Sequence, residues 1–352
     1  MNRPAFTLSL VTILFLINCS GPQQDAQKDT VLARGGMPNL AKDQHGKLYL
    51  VYGFGDSLMY SSSEDGGQSF STPELIAKVR DLSASHTRGP QVAVLGHGVV
   101  AIAGNHKGDI FSFAKMENGN WSDPVRINDV DTIAKEQFMA LAADGSTTIA
   151  IWLDLREKHN AIYGARSLDG GRSWSKNMLI YDSPDGTVCE CCKPSLAMKD
   201  NRIYVMFRNW LRGSRDLYLV QSNDAGHSFG EAKKLGNESW KLDACPMDGG
   251  NLVLDDQGGP QTVWLRKSTI YACTPGQAET ALGEGRSCTV ESTKGKEFYA
   301  WSEKGNVIIL NNQMKKILVG VGSQPQIKSI EDGKIVCIWE NQDQIHKAVV
   351  GL

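Results

Sequence analysis

The chain uses one short turn three times. The pattern Ser-x-Asp-x-Gly-x-x-aromatic stands at residues 63–70, 167–174 and 222–229, ending in Phe70, Trp174 and Phe229. Its chemistry is that of a self-locking hairpin turn. The Asp carboxylate accepts backbone N–H groups, the Gly supplies a positive φ, and the aromatic packs back on the hairpin. Each copy follows a stretch with the aromatic and β-branched content of a strand, such as Asp-Leu-Tyr-Leu-Val-Gln-Ser at 216–222. Three copies in this setting mean that one supersecondary unit is reused along the chain.

The strands around the turns recur in sets of four. The first set is 37–41, 47–52, 57–61 and 74–77, and the second is 90–94, 99–103, 109–113 and 124–127. Further sets begin near residues 138, 194, 251 and 288. The last, at 325–328, 334–339 and 345–349, stops one strand short. Four-stranded units spaced by about fifty residues predict an all-β fold, a β-propeller. The strand 30–33 is available to close the ring by completing the last blade. The count is seven blades, with six as the alternative if 275–320 is an insertion. No linker or composition shift divides 30–352, so these residues read as one domain.

The first residues read differently. Asn2 and Arg3 precede an apolar run, 5–17, that is too short to span a bilayer and has the layout of a secretory signal. The run ends in Leu-Ile-Asn-Cys, which resembles a bacterial lipobox with Cys19 as the acylated residue. Residues 1–19 are therefore expected to be a lipoprotein-type signal and 20–29 a polar tether. Ser20 after the cysteine implies, by the same resemblance, an outer-membrane lipoprotein facing the periplasm or the surface. Contact with a membrane is expected only through this anchor. With 37 basic and 39 acidic residues the net charge is −2, so no attraction to nucleic acid is expected.

The three turns, with the blade pattern around them, resemble the Asp-boxes (BNR repeats) of the sialidase-like propeller superfamily over 30–352. In that superfamily the Asp-boxes lie on the face away from the active site. The topology agrees. The turns join third and fourth strands, whereas the segments before each first strand and the hairpins between second and third strands share the opposite face. That face collects Arg34, Arg88, Arg208, Arg215, Arg266 and Asp248, the expected substrate-binding residues. Several arginine forks around a concave mouth suit a carboxylate- or sulfate-bearing ligand. The resemblance thus implies an exo-sialidase-like glycoside hydrolase acting on an anionic glycan or another acidic small ligand. It would need an arginine triad, for which Arg88, Arg208 and Arg266 are candidates, a Tyr nucleophile paired with Glu, and an Asp acid/base. The chain departs from this pattern: residues 34–38 read Arg-Gly-Gly-Met-Pro, and no Tyr stands at a hairpin tip. Asp154 is the acid/base candidate by position, with Glu157 or Asp216 as its partner. The alternative is a non-catalytic envelope propeller that binds a glycan, a protein or a soft metal.

Cys189, Cys191 and Cys192 precede the first strand of blade 4, and Cys245 precedes that of blade 5. Neighbouring blades place these segments side by side. Export implies an oxidising compartment. The cysteines therefore have three open fates: disulfides, one of them tying Cys245 to 189–192; a thiolate site for a soft metal; or a reactive thiol beside the arginines. No other cofactor is expected. Cys273 and Cys288 could pair, and Cys337 reads as a buried free thiol.

Overall fold

The computed structural model describes residues 29–115 and 118–351. The expected signal, Cys19 and the tether up to residue 28 lie outside the described residues. Seven antiparallel sheets form a ring. The chain first contributes β1 (Thr30–Arg34), then blade 1 as β2 (Gly36–Lys42), β3 (Leu48–Phe54), β4 (Ser57–Ser63) and β5 (Glu74–Lys78). Blade 2 is β6 (Gln91–Val94), β7 (Val99–Gly104), β8 (Ile110–Ala114) and β9 (Val125–Arg126). Blade 3 is β10 (Met139–Asp144), β11 (Thr147–Asp154), β12 (Ala161–Ser167) and β13 (Met178–Tyr181). Blade 4 has an extra strand, β14 (Gly186–Val188), before β15 (Ser195–Lys199), β16 (Arg202–Leu211), β17 (Ser214–Ser222) and β18 (Lys233–Lys234). Blade 5 is β19 (Asn251–Leu254), β20 (Pro260–Arg266), β21 (Thr269–Cys273) and β22 (Thr280–Glu284). Blade 6 is β23 (Arg286–Thr293), β24 (Lys296–Glu303), β25 (Asn306–Leu310) and β26 (Lys316–Val321). Blade 7 is β27 (Ser323–Ser329), β28 (Lys334–Asn341) and β29 (Gln344–Gly351), with β1 as its outer strand.

The seven-blade count holds. The weak sixth set is a complete sheet, and the alternative of six blades with an insertion falls away. Ring closure is as expected: β1 pairs antiparallel with β29, Thr30 opposite Lys347 and Arg34 opposite Gln344. One residue before β1, Asp29 meets His346 Nδ1 at 2.7 Å.

The core is not one centre but a layer between every pair of neighbouring blades. Ile149, Ile151 and Leu153 of blade 3 pack on Ile203, Val205 and Phe207 of blade 4. Leu48 and Leu50 of blade 1 meet Val336 and Ile338 of blade 7. A middle strand is covered on both faces, so β7 is buried at every residue and reads as a continuous apolar run.

The three Ser-x-Asp turns form the predicted lock. Gly67, Gly171 and Gly226 donate N–H groups to Ser63, Ser167 and Ser222 Oγ at 2.9, 2.8 and 2.9 Å. Each Asp carboxylate accepts the N–H four residues on, at 2.9 Å in all three. The glycines have φ near +82 to +86°, and a Cβ at Gly67 would stand 2.7 Å from Val336 of the neighbouring blade. The aromatics differ from expectation. Trp174 packs in the layer between blades 2 and 3, and its Nε1 donates to Ser112 Oγ of blade 2 at 2.8 Å. Each turn therefore fastens one blade to the previous one, not only its own hairpin to itself.

Candidate functional site

The face opposite these turns is built highest over blade 4. The sequence predicted strands 202–207 and 216–222 joined by a hairpin loop. The structure instead extends both as strands to a two-residue turn, Leu211 pairing with Ser214. β14 adds to the raised end, with Val188 opposite Asn209, and so delivers Cys189 to the rim of the central channel. Cys189 N donates to Arg208 O at 2.9 Å, and Cys192 N folds back on Cys189 O at 3.3 Å.

This tight turn brings three thiols together. The Sγ separations are 3.1 Å for Cys189–Cys192, 3.6 Å for Cys189–Cys191 and 3.9 Å for Cys191–Cys192. All three side chains are buried. Their sulfurs form one of the compact groups that could hold a metal ion. Arg215 Nη1 donates to Cys189 Sγ at 3.0 Å, and both of its terminal nitrogens reach the Glu190 carboxylate at 3.3 Å. Hydrogen bonds from the Cys191 and Cys192 thiols, with Arg215 beside them, pull the Cys189 thiol well below the usual range. Cys245 is exposed, with its Sγ 3.8 Å from Glu190 Oε1. No disulfide joins any of the seven described cysteines. Cys273 lies in the layer between blades 4 and 5 and Cys288 in that between blades 5 and 6, on opposite faces of one sheet, so the expected pairing of these two does not occur. Cys337 is buried in blade 7 as a free thiol.

The segment carrying Cys245 lies against the cysteine turn because Gly249 permits it. A Cβ there would come within 1.9 Å of Lys193 O. Next to it, Asp248 accepts N–H groups from Ser287 at 2.7 Å and Gly250 at 3.2 Å, and burial raises its pKa. Lys193 reaches across the channel to Gln91 Oε1 of blade 2 at 2.8 Å. Lys193 is half-buried as a whole residue, yet protein surrounds its ammonium, and this loss of solvation lowers its pKa to about 8. Below it a polar cavity of about 510 Å³ runs along the axis, lined by first-strand residues including Asn39, Lys42, Asn251, Glu291 and Lys328.

Most of the expected arginines are engaged within the protein. Arg208 is 1 % exposed, and its guanidinium donates to three carbonyls, Asp248 O at 2.9 Å and Arg215 O and Leu265 O at 2.7 Å. Arg266 is paired with Glu279 and with Glu238 at the outer side of blade 5. Arg34 ends β1, the outer strand of blade 7, over the Phe54 ring at 5.8 Å. Arg88 sits over the Phe138 ring at 4.2 Å and meets Glu136 at 3.5 Å.

The three carboxylates expected to be catalytic do not converge. Asp154 is fully buried, taking hydrogen bonds from Trp152 Nε1 and from Arg156 N, Nε and Nη2. Glu157 accepts from Tyr163 OH at 2.9 Å, beneath Arg156. This is a Tyr–Glu pair, but burial and Glu157 push the Tyr163 pKa up to about 12. Arg156 bonds Asn177 and Asp129, so the group stands at the outer edge of blades 2 and 3. Asp216 accepts from Trp240 N at 2.7 Å on the outer side of blade 4.

A different pair stands on the segments leading into blades 3 and 4. Burial raises the pKa of Glu136, and the charge of Glu190 raises it further, against the opposing pull of Arg88. Arg88–Glu136 and Glu190–Arg215 thus form a charged arc from the segment before blade 2 to blade 4. The sequence placed the segments before each first strand at the mouth without singling out Glu136, and Glu190 was hidden among the cysteines. Two half-buried tryptophans flank the arc, Trp210 stacked on Arg215 at 5.0 Å and Trp240 on Arg208 at 5.4 Å. Beyond Trp240 and Cys245 an apolar groove of about 710 Å³ runs toward Arg286 and Gly322.

No protein-family model and no curated protein matches the chain. Solved structures do. A lectin from Burkholderia pseudomallei is similar with a TM-score of 0.66 at 9% identity, covering 92% of this chain and 97% of that one. An α-L-arabinanase from Penicillium chrysogenum, solved with arabinobiose, gives 0.55 at 12%, covering 90% and 93%. An ulvan lyase of a polysaccharide lyase family gives 0.56 at 10%, covering 92% and 96%. At such identities the likeness establishes the β-propeller fold, which these three glycan-binding or glycan-active proteins share with this chain.

Proposed function

We propose that this protein is an exported, lipid-anchored propeller of the sialidase-like, Asp-box kind that takes an anionic glycan at its channel mouth and hydrolyses it. The observation that carries the reading is the arc Arg88–Glu136 and Glu190–Arg215. A carboxyl group with a raised pKa, near a second carboxylate, is the arrangement that acid–base glycoside cleavage needs. Glu136, held protonated more readily than an ordinary glutamate, donates to the leaving oxygen. Glu190, paired with Arg215, activates water or stabilises the positive sugar. Trp210 and Trp240 offer faces for sugar rings, and Arg88 with Lys193 meets an acidic substituent. The fold of the similar lectin, arabinanase and lyase supports a glycan as the ligand without specifying it.

Recognition without hydrolysis is the second reading. It is favoured by the internal pairing of Arg208, Arg215 and Arg266, which leaves no open arginine triad. One experiment separates the two. Sialyl, uronyl and neutral methylumbelliferyl glycosides are assayed for release, and the same glycans for binding. Turnover that Glu136→Gln removes while binding persists supports hydrolysis. Binding without turnover leaves recognition alone, and neither result across the panel overturns both.

A further inference from the structure

We propose that Cys189, Cys191 and Cys192 form a trithiolate site for a soft monovalent cation, cuprous copper. The inference does not rest on the glycan reading, because it concerns sulfurs buried beneath the mouth.

Three observations support it. The first is geometry. With metal–sulfur bonds of about 2.3 Å, three sulfurs sharing one ion stand about 3.8–4.0 Å apart. Two edges of the observed triangle, 3.6 and 3.9 Å, are already close to this, and only the 3.1 Å edge must open. A single disulfide would use two of the three sulfurs and strand the other in the same buried turn. The second is charge. Three thiolates on one monovalent ion leave a net negative centre, and Arg215 lies against Cys189 Sγ at 3.0 Å to offset it. Arg215 Nε is buried without a hydrogen-bond partner, so the guanidinium is placed for this centre more than for its own hydrogen-bond count. The third is coordination number. Zinc in structural sites closes on four ligands, whereas soft sulfur sets of low coordination select cuprous copper. The fourth thiol, Cys245, stands exposed on the neighbouring blade, its Sγ 3.8 Å from Oε1 of Glu190 in the cysteine turn. It is positioned as the ligand through which an ion passes from solvent to the buried three. Binding leaves all three sulfurs as thiolates, the protons of those that were S–H passing to water, with no change in oxidation state.

The test uses the full chain, reduced and kept anaerobic. Cuprous ion is titrated against bathocinchoninate, and zinc ion in parallel. The expected result is one cuprous ion per chain with a sulfur-only shell of three by X-ray absorption. Cys191→Ser should lose it, Cys273→Ser should keep it, and Arg215→Gln should weaken it about tenfold to a hundredfold. Where Cys191→Ser does not fold, alkylation of the wild type replaces it, since bound copper should shield Cys189, Cys191 and Cys192 from iodoacetamide. Failure to hold copper after full reduction overturns the proposal. So do labelling of those three thiols in the copper-loaded chain, and preference for zinc on four sulfurs.

Discussion

Arg208 shows how a residue's type and its use come apart. An arginine at the mouth of a propeller suggests a ligand, yet each of the three guanidinium nitrogens of this one donates to a carbonyl in or next to blades 4 and 5. Removing it leaves three buried acceptors without partners. Arg208→Ala should therefore cost on the order of 3 kcal/mol or more, read as a lowered urea midpoint before any effect on ligand. Glu136 is the opposite case, a residue of ordinary type made special by position. Its pKa is raised, so it is a proton donor only while protonated. The pH–rate profile should lose activity as pH rises through that raised value. Glu136→Gln should lower kcat about a hundredfold or more and erase that limb, and a variant that keeps it would remove Glu136 from the mechanism.

At the scale of the element, the Ser-x-Asp turn is a fastening between blades. Ser167 Oγ accepts Gly171 N–H and donates to Asp169, all against blade 2. Ser167→Ala orphans a buried N–H and should cost about 1–3 kcal/mol by denaturant unfolding. The aspartates add a pH dependence. Hydrogen bonds from the turn outweigh desolvation and depress the folded pKa values of Asp65, to about 2, and of Asp169. A depressed carboxylate pKa gives stability that is complete above the unfolded value near 4 and lost as pH falls toward the folded one. These exposed groups are screened, so the loss between pH 4 and 2 should be modest. It should shrink in Asp65→Asn, and an unchanged acid limb would assign it to other carboxylates. The hairpin of β16 and β17 is the element that makes the site. Its extra length, zipped by β14, sets Cys189 and Arg215 side by side.

For the whole molecule, the ring is closed by one short strand. β1 covers the edge of β29, and Asp29 ties to His346 just before it. A chain lacking residues 29–34 exposes that edge, and blade 7 loses its outer partner. It should unfold at lower urea with a broader transition and self-associate. Unchanged, cooperative unfolding would mean that closure rests on the inter-blade layers alone.

The sequence by itself determined the ring. Its repeats, its turn chemistry and its apolar strands are local, periodic properties, and they point to a ring of blades, their order and the closing strand, with the choice of seven over six left to the complete sixth sheet. The strands it missed, β13, β14 and β22, are short and take their identity from the edge they pair with. What only tertiary structure decided is which polar groups face which. Asp154 looked available on a hairpin, but Trp152 and Arg156 claim it from within blade 3. Glu136 and Glu190 lie far apart in sequence and meet only across neighbouring blades. The three thiols converge because a turn after β14 folds them inward. Side-chain partnership depends on distances between blades, which no local pattern encodes, whereas the blades themselves follow from hydrogen bonds and apolar faces written residue by residue.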